Sequence, residues 1–330
     1  GNAAGRAERR RRSRPVRPPL NGRRAVPGSD VLRLATRGSP QAMAQSTAVA
    51  DAVERATGTA VALVPVETQG DRTQSANVSL HQIGGQGVFV KEIQQAVLDG
   101  RADLAVHSAK DLPSTTEPGL VLAAFLERRD PRDALIGSSL DALAEGATVA
   151  TGSVRRRAQL GGERPDLRFA ELRGNIGTRL EKVPEGGAIV MAVAALQILE
   201  LTDRIGQTLD PDVFVPAVGQ GCVAVEVRAD DDRTRSAVAA IDHGATRRAV
   251  EIERAFLAEL GAGCSSPVGA HVSGAVLTAF LGTESALGGV RRSIGLSADV
   301  TDSRGTEPAS GDDLARAVAL ARDLLVATGG

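Results

Sequence analysis

Apolar positions along this chain come mostly in short runs bounded by glycine, proline and small polar residues, and two periods alternate. "VLRLAT" (31–36) reads as a strand. "SPQAMAQSTAVADAVERATG" (39–58) switches to helical spacing, with Ser39 placed to cap, Pro40 in the first turn and Gly58 as the stop. "VALVPVET" (61–68) reads as a strand, "VFVKEIQQAVLDG" (88–100) as a helix ending in glycine, and "ADLAVHS" (102–108) as a strand. This βαβαβ order predicts a mostly parallel sheet covered by helices. A second series repeats it. "ATVAT" (147–151) leads into "GSVRRRAQL" (152–160), "LRFAEL" (167–172) into "RGNIGTRLEKV" (173–183), and "AIVMAV" (188–193) into a helical stretch. "CVAVEV" (222–227) is a further strand. From about residue 245 an amphipathic helix, two weak strands and a closing helix (312–328) follow.

The predicted fold class is therefore α/β: two α/β domains and a smaller C-terminal α+β domain. The boundaries expected are a basic tail at 1–30, a first domain over 31–128 plus 222–240, a second over 129–221, and a third over 241–330. The polar, glycine-containing segment 69–87 has no period and reads as a lid or a disordered loop.

Composition narrows the function classes. Aromatics are 2% of the chain, with no Trp or Tyr, so the cores must be aliphatic. No apolar run reaches membrane-spanning length. Residues 1–30 hold nine arginines and two acids, which reads as a solvated extension, and the remainder is acidic, which argues against nucleic-acid binding. His81, His107, His243 and His271 are scattered without metal-ligand spacing, so no metal is expected. With only Cys222 and Cys264, a disulfide framework is excluded and a reducing, cytoplasmic setting is expected.

Candidate chemistry lies in where the cations fall. The chain has 36 arginines and three lysines. Four times a predicted strand ends and cationic or hydroxyl residues follow at once: Arg37 and Ser39; Lys110 beside Asp111; Ser153, Arg155 and Arg156; Arg173 and, a turn later, Arg179. Ligands of open α/β sheets bind beyond the carboxyl ends of strands, where helix N-termini favour anions and arginine forks pair with carboxylates. No phosphate-binding glycine-rich motif is present. Separate arginine pairs suit a ligand bearing several carboxylates. Asp111 reads either as a local ion-pair partner of Lys110 or as a base or counter-charge to a cationic intermediate.

The motifs "LRLATRGSP", "VFVKEIQQAVLDGRADLAVHSAKDLP", "ERRDPRDAL", "TGSVRRRAQL", "ELRGNIGTRL", "VPAVGQG" and "GAGCSSPVGA" occur in the order and spacing of the porphobilinogen deaminases. The resemblance runs from about residue 31 to the end and is dense to 270. It implies two periplasmic-binding-protein-like α/β domains with a C-terminal α+β domain. It implies a transferase of haem biosynthesis that condenses four porphobilinogen molecules head to tail, with loss of ammonia, to hydroxymethylbilane. It further implies a dipyrromethane cofactor joined covalently to Cys264, Asp111 as the catalytic carboxylate, and Lys110, Ser153, Arg155 and Arg156 as cofactor-holding groups. Arg37, Ser39, Arg173 and Arg179 match positions that hold acid groups of substrate or cofactor. A monomer in the cytoplasm, without nucleic-acid or membrane partners, is expected. Gln82, Gln86 and Ile198 depart from the pattern, standing where the family often has basic residues. Two rival readings are a solute-binding module of the same fold, which gives Cys264 no work, and an inactive paralogue that holds a linear pyrrole.

Overall fold

The computed structural model describes residues 31–68, 90–261, 266–283, 287–297 and 308–329. Segments 1–30 and 69–87, including Gln82 and Gln86, lie outside the described residues, as does Cys264.

The chain enters through β1 (Val31–Thr36) and turns into α1 (Pro40–Thr57). Ser39 caps that helix by accepting from the Ala42 N–H, and Gly58 ends it at φ 73°, a left-handed conformation that other residues resist. β2 (Ala60–Pro65), α2 (Lys91–Leu98), β3 (Leu104–Ser108) and β4 (Leu120–Phe125) complete the first pass. β1 pairs in parallel with both β2 and β3.

The chain then leaves this sheet and builds a second one. β5 (Asp133–Ile136), β6 (Thr148–Ala150), α3 (Val154–Glu163), β7 (Arg168–Ala170), α4 (Ile176–Leu180), β8 (Ala188–Ala192), α5 (Val193–Ile198) and β9 (Gln207–Thr208) give the strand order β7-β6-β8-β5-β9. β6 is parallel to β7 and β8, while β5 runs antiparallel to β8 and β9.

β10 (Val223–Arg228) returns to the first sheet and inserts between β3 and β4, antiparallel to both, for the order β2-β1-β3-β10-β4. The expected mostly parallel arrangement thus holds for β1, β2 and β3, with one reversed strand in the interior. Five of the six β10 residues are buried, as a strand covered on both faces requires.

After α6 (Asp232–Ala239) and the long α7 (Gly244–Glu259) comes an antiparallel sheet of β11 (Val268–Ser273), β12 (Val276–Gly282) and β13 (Gly289–Gly295), closed by α8 (Gly311–Thr328). Three strands stand here where the pattern predicts two. β13 has no buried residue, so its alternation is too weak to read.

The cores are mainly aliphatic, with Phe125, Phe214, Phe256 and Phe280 buried among the small side chains. Val250 of α7 packs with Ala109, Leu112, Phe125 and Cys222, joining the helix to the first sheet. Ala158, Val215 and Phe280 join α3 to β12. No described helix is long and apolar enough to cross a membrane.

Candidate functional site

The parallel strands β1 and β3 present their carboxyl ends on one edge of the first sheet, and β6, β7 and β8 do the same in the second. At β1 the chain continues through half-buried Arg37 to Ser39, whose hydroxyl is committed to capping α1. β3 ends in a 3-10 turn, Ala109–Asp111, anchored by the Ala109 N–H donating to the Cys222 carbonyl at 3.0 Å. This turn leaves Asp111 exposed and Lys110 half-buried.

After β6, Ser153 caps α3 by accepting from the Arg156 N–H at 3.4 Å. The first turn of α3 then directs Arg155 and Arg156 inward, where both are buried. Between them lies Asp133, the first residue of β5 and only 1% exposed. Arg155 donates through Nη2 to Asp133 Oδ2 at 2.8 Å and through Nη1 to the Val215 carbonyl at 2.6 Å. Arg156 donates through Nε and Nη2 to Asp133 Oδ1 at 3.1 and 2.7 Å, and through Nη1 to the Val190 carbonyl at 3.0 Å. Gln220 Nε2 donates to the same Oδ1 at 2.8 Å, and Gln220 Oε1 accepts from Lys110 Nζ at 3.3 Å. One amide side chain thus ties the β3 edge of the first sheet to the arginine pair of the second.

Burial alone would raise the Asp133 carboxyl. The Arg155 and Arg156 charges and the hydrogen bonds from Arg156 and Gln220 overcome it and hold the carboxyl well below the usual carboxylate range. Arg155 is pulled below its ordinary value, first by burial and then by repulsion from Arg156, against the attraction of Asp133.

α4 brings the remaining pair. Asn175 caps it by accepting from the Thr178 N–H at 3.0 Å. Arg179 Nε donates to the Gly174 carbonyl at 2.7 Å, and Arg173 Nη2 lies 3.8 Å from Glu171 Oε2. The Arg179 guanidinium is lowered from its ordinary value by burial, then by Arg156; Asp111 raises it and Arg173 lowers it. Arg179 of the second sheet therefore stands within electrostatic reach of Asp111 of the first.

Lys110 shows the balance of charge in the cleft most directly. It keeps some surface open, yet its ammonium is enclosed enough that burial is the largest influence; repulsion from Arg156 comes next. Asp111 and Asp133 pull the other way and Arg155 adds repulsion. The amine is pushed down to about 8. Cations that depress one another mark a surplus of positive charge, the condition that anionic groups relieve. That surplus fits a ligand carrying several carboxylates.

The structure thus brings together Lys110, Asp111, Arg155, Arg156, Arg173 and Arg179. Arg37 and Ser39 sit on the same strand edge as Lys110, and Ser153 serves as a helix cap beside Arg156. Reading motifs by their cations missed Asp133 and Gln220. Both lie within quoted stretches, "ERRDPRDAL" and "VPAVGQG", but nothing local announces that an acid and an amide are the hubs. Ile198, the last residue of α5, is half-buried. Cys222 is buried, and burial pushes its thiol up to about 12, so it stays protonated and unreactive. Among the described residues no group of His, Cys, Asp and Glu is arranged to hold a metal.

Fold and site define a class: an α/β protein with a cation-rich cleft between two strand-end edges, where Asp111 stands exposed among the cations. Two family models match the chain, "Porphobilinogen deaminase, dipyromethane cofactor binding domain" over residues 32–236 and "Porphobilinogen deaminase, C-terminal domain" over residues 247–303. The chain belongs to the porphobilinogen deaminase family, the hydroxymethylbilane synthases, which are transferases of porphyrin biosynthesis with a dipyrromethane cofactor. The porphobilinogen deaminase of Roseiflexus sp. (strain RS-1) is 48% identical over 251 residues, covering 74% of this chain and 82% of its own. That of Syntrophotalea carbinolica is 46% identical over 251 residues, covering 74% and 79%. Among solved structures, the methionine binding protein MetQ overlays 64% of this chain and 89% of its own, at 12% identity and a TM-score of 0.40.

Proposed function

We propose that this chain condenses four porphobilinogen molecules to hydroxymethylbilane in the cleft between its first two sheets, acting as a cytoplasmic monomer. The observation that carries the reading is the surplus of positive charge there, seen in the lowered Lys110 and Arg179, with Asp111 exposed among the cations.

Arg155, Arg156, Lys110 and Ser153 would hold the carboxylates of the dipyrromethane, and Cys264 would anchor it by a thioether. When bound, the cofactor supplies the pyrrole carbon to which the substrate is joined. Arg173, Arg179, Arg37 and Ser39 would receive the acetate and propionate groups of incoming porphobilinogen. Asp111 is the one carboxylate of this set at the cleft. Deamination of porphobilinogen leaves positive charge on its ring and methylene. A fixed anion at that point lowers the barrier to forming it and accepts the proton released when the new carbon–carbon bond restores aromaticity. The buried Asp133 cannot share this work, because its oxygens are occupied by Arg155, Arg156 and Gln220.

The test is turnover of porphobilinogen together with the intact mass of the purified protein. A mass increment of two pyrrole units that disappears in Cys264→Ser is expected, along with loss of activity. A serine variant that still turns over at the parent rate would remove Cys264 as anchor. A loaded parent without turnover would leave a pyrrole-holding protein instead of a synthase.

A further inference from the structure

The first sheet holds a buried acid–base cluster that the proposed chemistry does not use. Glu226 of β10 and His107 of β3 lie on the same face of the sheet. In the antiparallel register Glu226 is opposite Ala105 and Ala224 is opposite His107, so the two side chains are diagonal neighbours. Their side chains are 1% and 3% exposed, and Glu226 Oε2 lies 3.2 Å from His107 Nε2. Neither of these two atoms makes a well-directed hydrogen bond. The other carboxylate oxygen, Oε1, accepts from Gln94 Nε2 of α2 at 3.1 Å. From a third direction comes Arg254 of α7. Burial lowers its guanidinium, and the charge of Glu226 is the influence that opposes this. A buried acid with so few partners is expensive to keep, and an aliphatic residue would fill a strand interior more cheaply.

What the cluster surrounds gives it a role. His107 is followed, two residues on, by the Ala109–Asp111 turn that carries Lys110 and Asp111. Arg254 Nη2 donates to the carbonyl of Ser114, three residues past Asp111, at 3.1 Å. Glu226 therefore touches the entry of one short segment through His107, while its charge bears on Arg254, which holds the exit through Ser114.

We propose that Glu226 is a positioning residue for the condensation, which sets the 109–113 segment, and with it Asp111, through His107 on one side and Arg254 on the other. The role in turnover rests on the function proposed above; the mechanical part does not. Arg254 also belongs to α7, the helix that leads toward the segment containing Cys264, so the same contact gives the Asp111 turn a fixed reference to that helix.

The experiment compares the parent with Glu226→Gln, which keeps the shape and the bond from Gln94 but removes the charge, using hydrogen–deuterium exchange and steady-state kinetics. Exchange at 108–114 is expected to accelerate while α8 exchanges as before. kcat is expected to fall by about tenfold to a hundredfold, the scale of a small misplacement, with KM within about twofold. The same substitution in an Asp111→Asn background is expected to cost less than about twofold, because the group it positions is already gone. Unchanged exchange at 108–114, or an equal loss of kcat in both backgrounds, overturns the proposal. Should Glu226→Gln not fold, Arg254→Gln, which frees only the exit flank, carries the same measurements with the same two expectations and the same two refutations. The exchange result decides the positioning by itself, whereas a parent that fails to turn over porphobilinogen defeats the proposed function.

Discussion

At the scale of single residues, the cleft is organised around Asp133, a buried anion that faces two arginines and an amide. Removing its charge leaves Arg155 and Arg156 buried without their partner. Breaking such a pair from one side typically costs about 3–5 kcal/mol. Asp133→Asn is thus expected to lower unfolding stability by that order, read from urea midpoints at neutral pH; a loss under about 1 kcal/mol would show that the arginines find other partners. Asp111→Asn should behave in the opposite way. It is exposed, so stability should be unchanged within about 0.5 kcal/mol, while turnover falls by about two to three orders of magnitude. Lys110 adds a pH signature. Its amine is lowered to about 8, so near pH 8.5 much of it is neutral in the free protein. A polycarboxylate in the cleft favours the charged form, and binding there should take up a fraction of a proton, at most about three-quarters. Calorimetry with citrate as probe, in buffers of different ionisation enthalpy, measures that uptake; Lys110→Arg should abolish it. The lysine itself was legible from its place after "LAVHS". The anion that organises the arginines was not, because its partners are some 22 and 87 residues away in sequence.

At the scale of elements, α3 is the member that both carries the arginine pair and docks on the C-terminal sheet. Its Gly161 and Gly162 lie against Leu287 and Gly288, and the Gly288 N–H donates to the Ala158 carbonyl at 2.7 Å. A Cβ on Gly162 would come within 2.9 Å of the Gly288 Cα, and one on Gly161 within 2.5 Å of Leu287 Cδ2. Glycine inside a helix is normally worse than alanine by about 1 kcal/mol. Here the sign should invert: Gly162→Ala is expected to destabilise by about 1–3 kcal/mol through overpacking against backbone. A rise in the thermal midpoint would show that the third sheet yields. Element by element, the sequence was most readable where local chemistry decides the outcome. Ser39, Pro40 and Gly58 mark α1 to the residue. It was least readable where a distant partner decides. "LVLAAF" forms β4 only because β10 comes back to pair with it, and β13 is a strand because β12 offers seven partners, despite an exposed pattern of its own.

At the scale of the molecule, Glu253 of α7 ties the two crossover segments between the first and second sheets to the C-terminal sheet. It is fully buried. It accepts from Arg128 at 2.6 and 3.1 Å, from the Gly219 N–H at 2.8 Å and from the Val272 N–H at 2.9 Å. Burial would raise its carboxyl, but the Arg128 charge, the nearby His271 and the bonds from Arg128 bring it down to about 2. Its folded value lies below its unfolded one, so its stabilisation is present above about pH 4.5 and is lost as pH falls toward 2. Roughly two and a half units correspond to something on the order of 3 kcal/mol. Acid titration of unfolding stability should show this loss, and Glu253→Gln should flatten the curve between those pH values while lowering stability at neutral pH. The threading of β10 carries a different consequence, for the order in which the protein is made. The ribosome delivers β1 to β4 first, yet β3 and β4 have no contact to make with each other until β10 appears about a hundred residues later. The second sheet, whose strands are contiguous in the chain, can close while the first still waits with two open strand edges. A chain truncated near residue 215 and released should therefore show protease-resistant protein from the second sheet and a protease-sensitive first sheet. During that interval the exposed edges of β3 and β4 are the part of the newborn chain most in need of a chaperone.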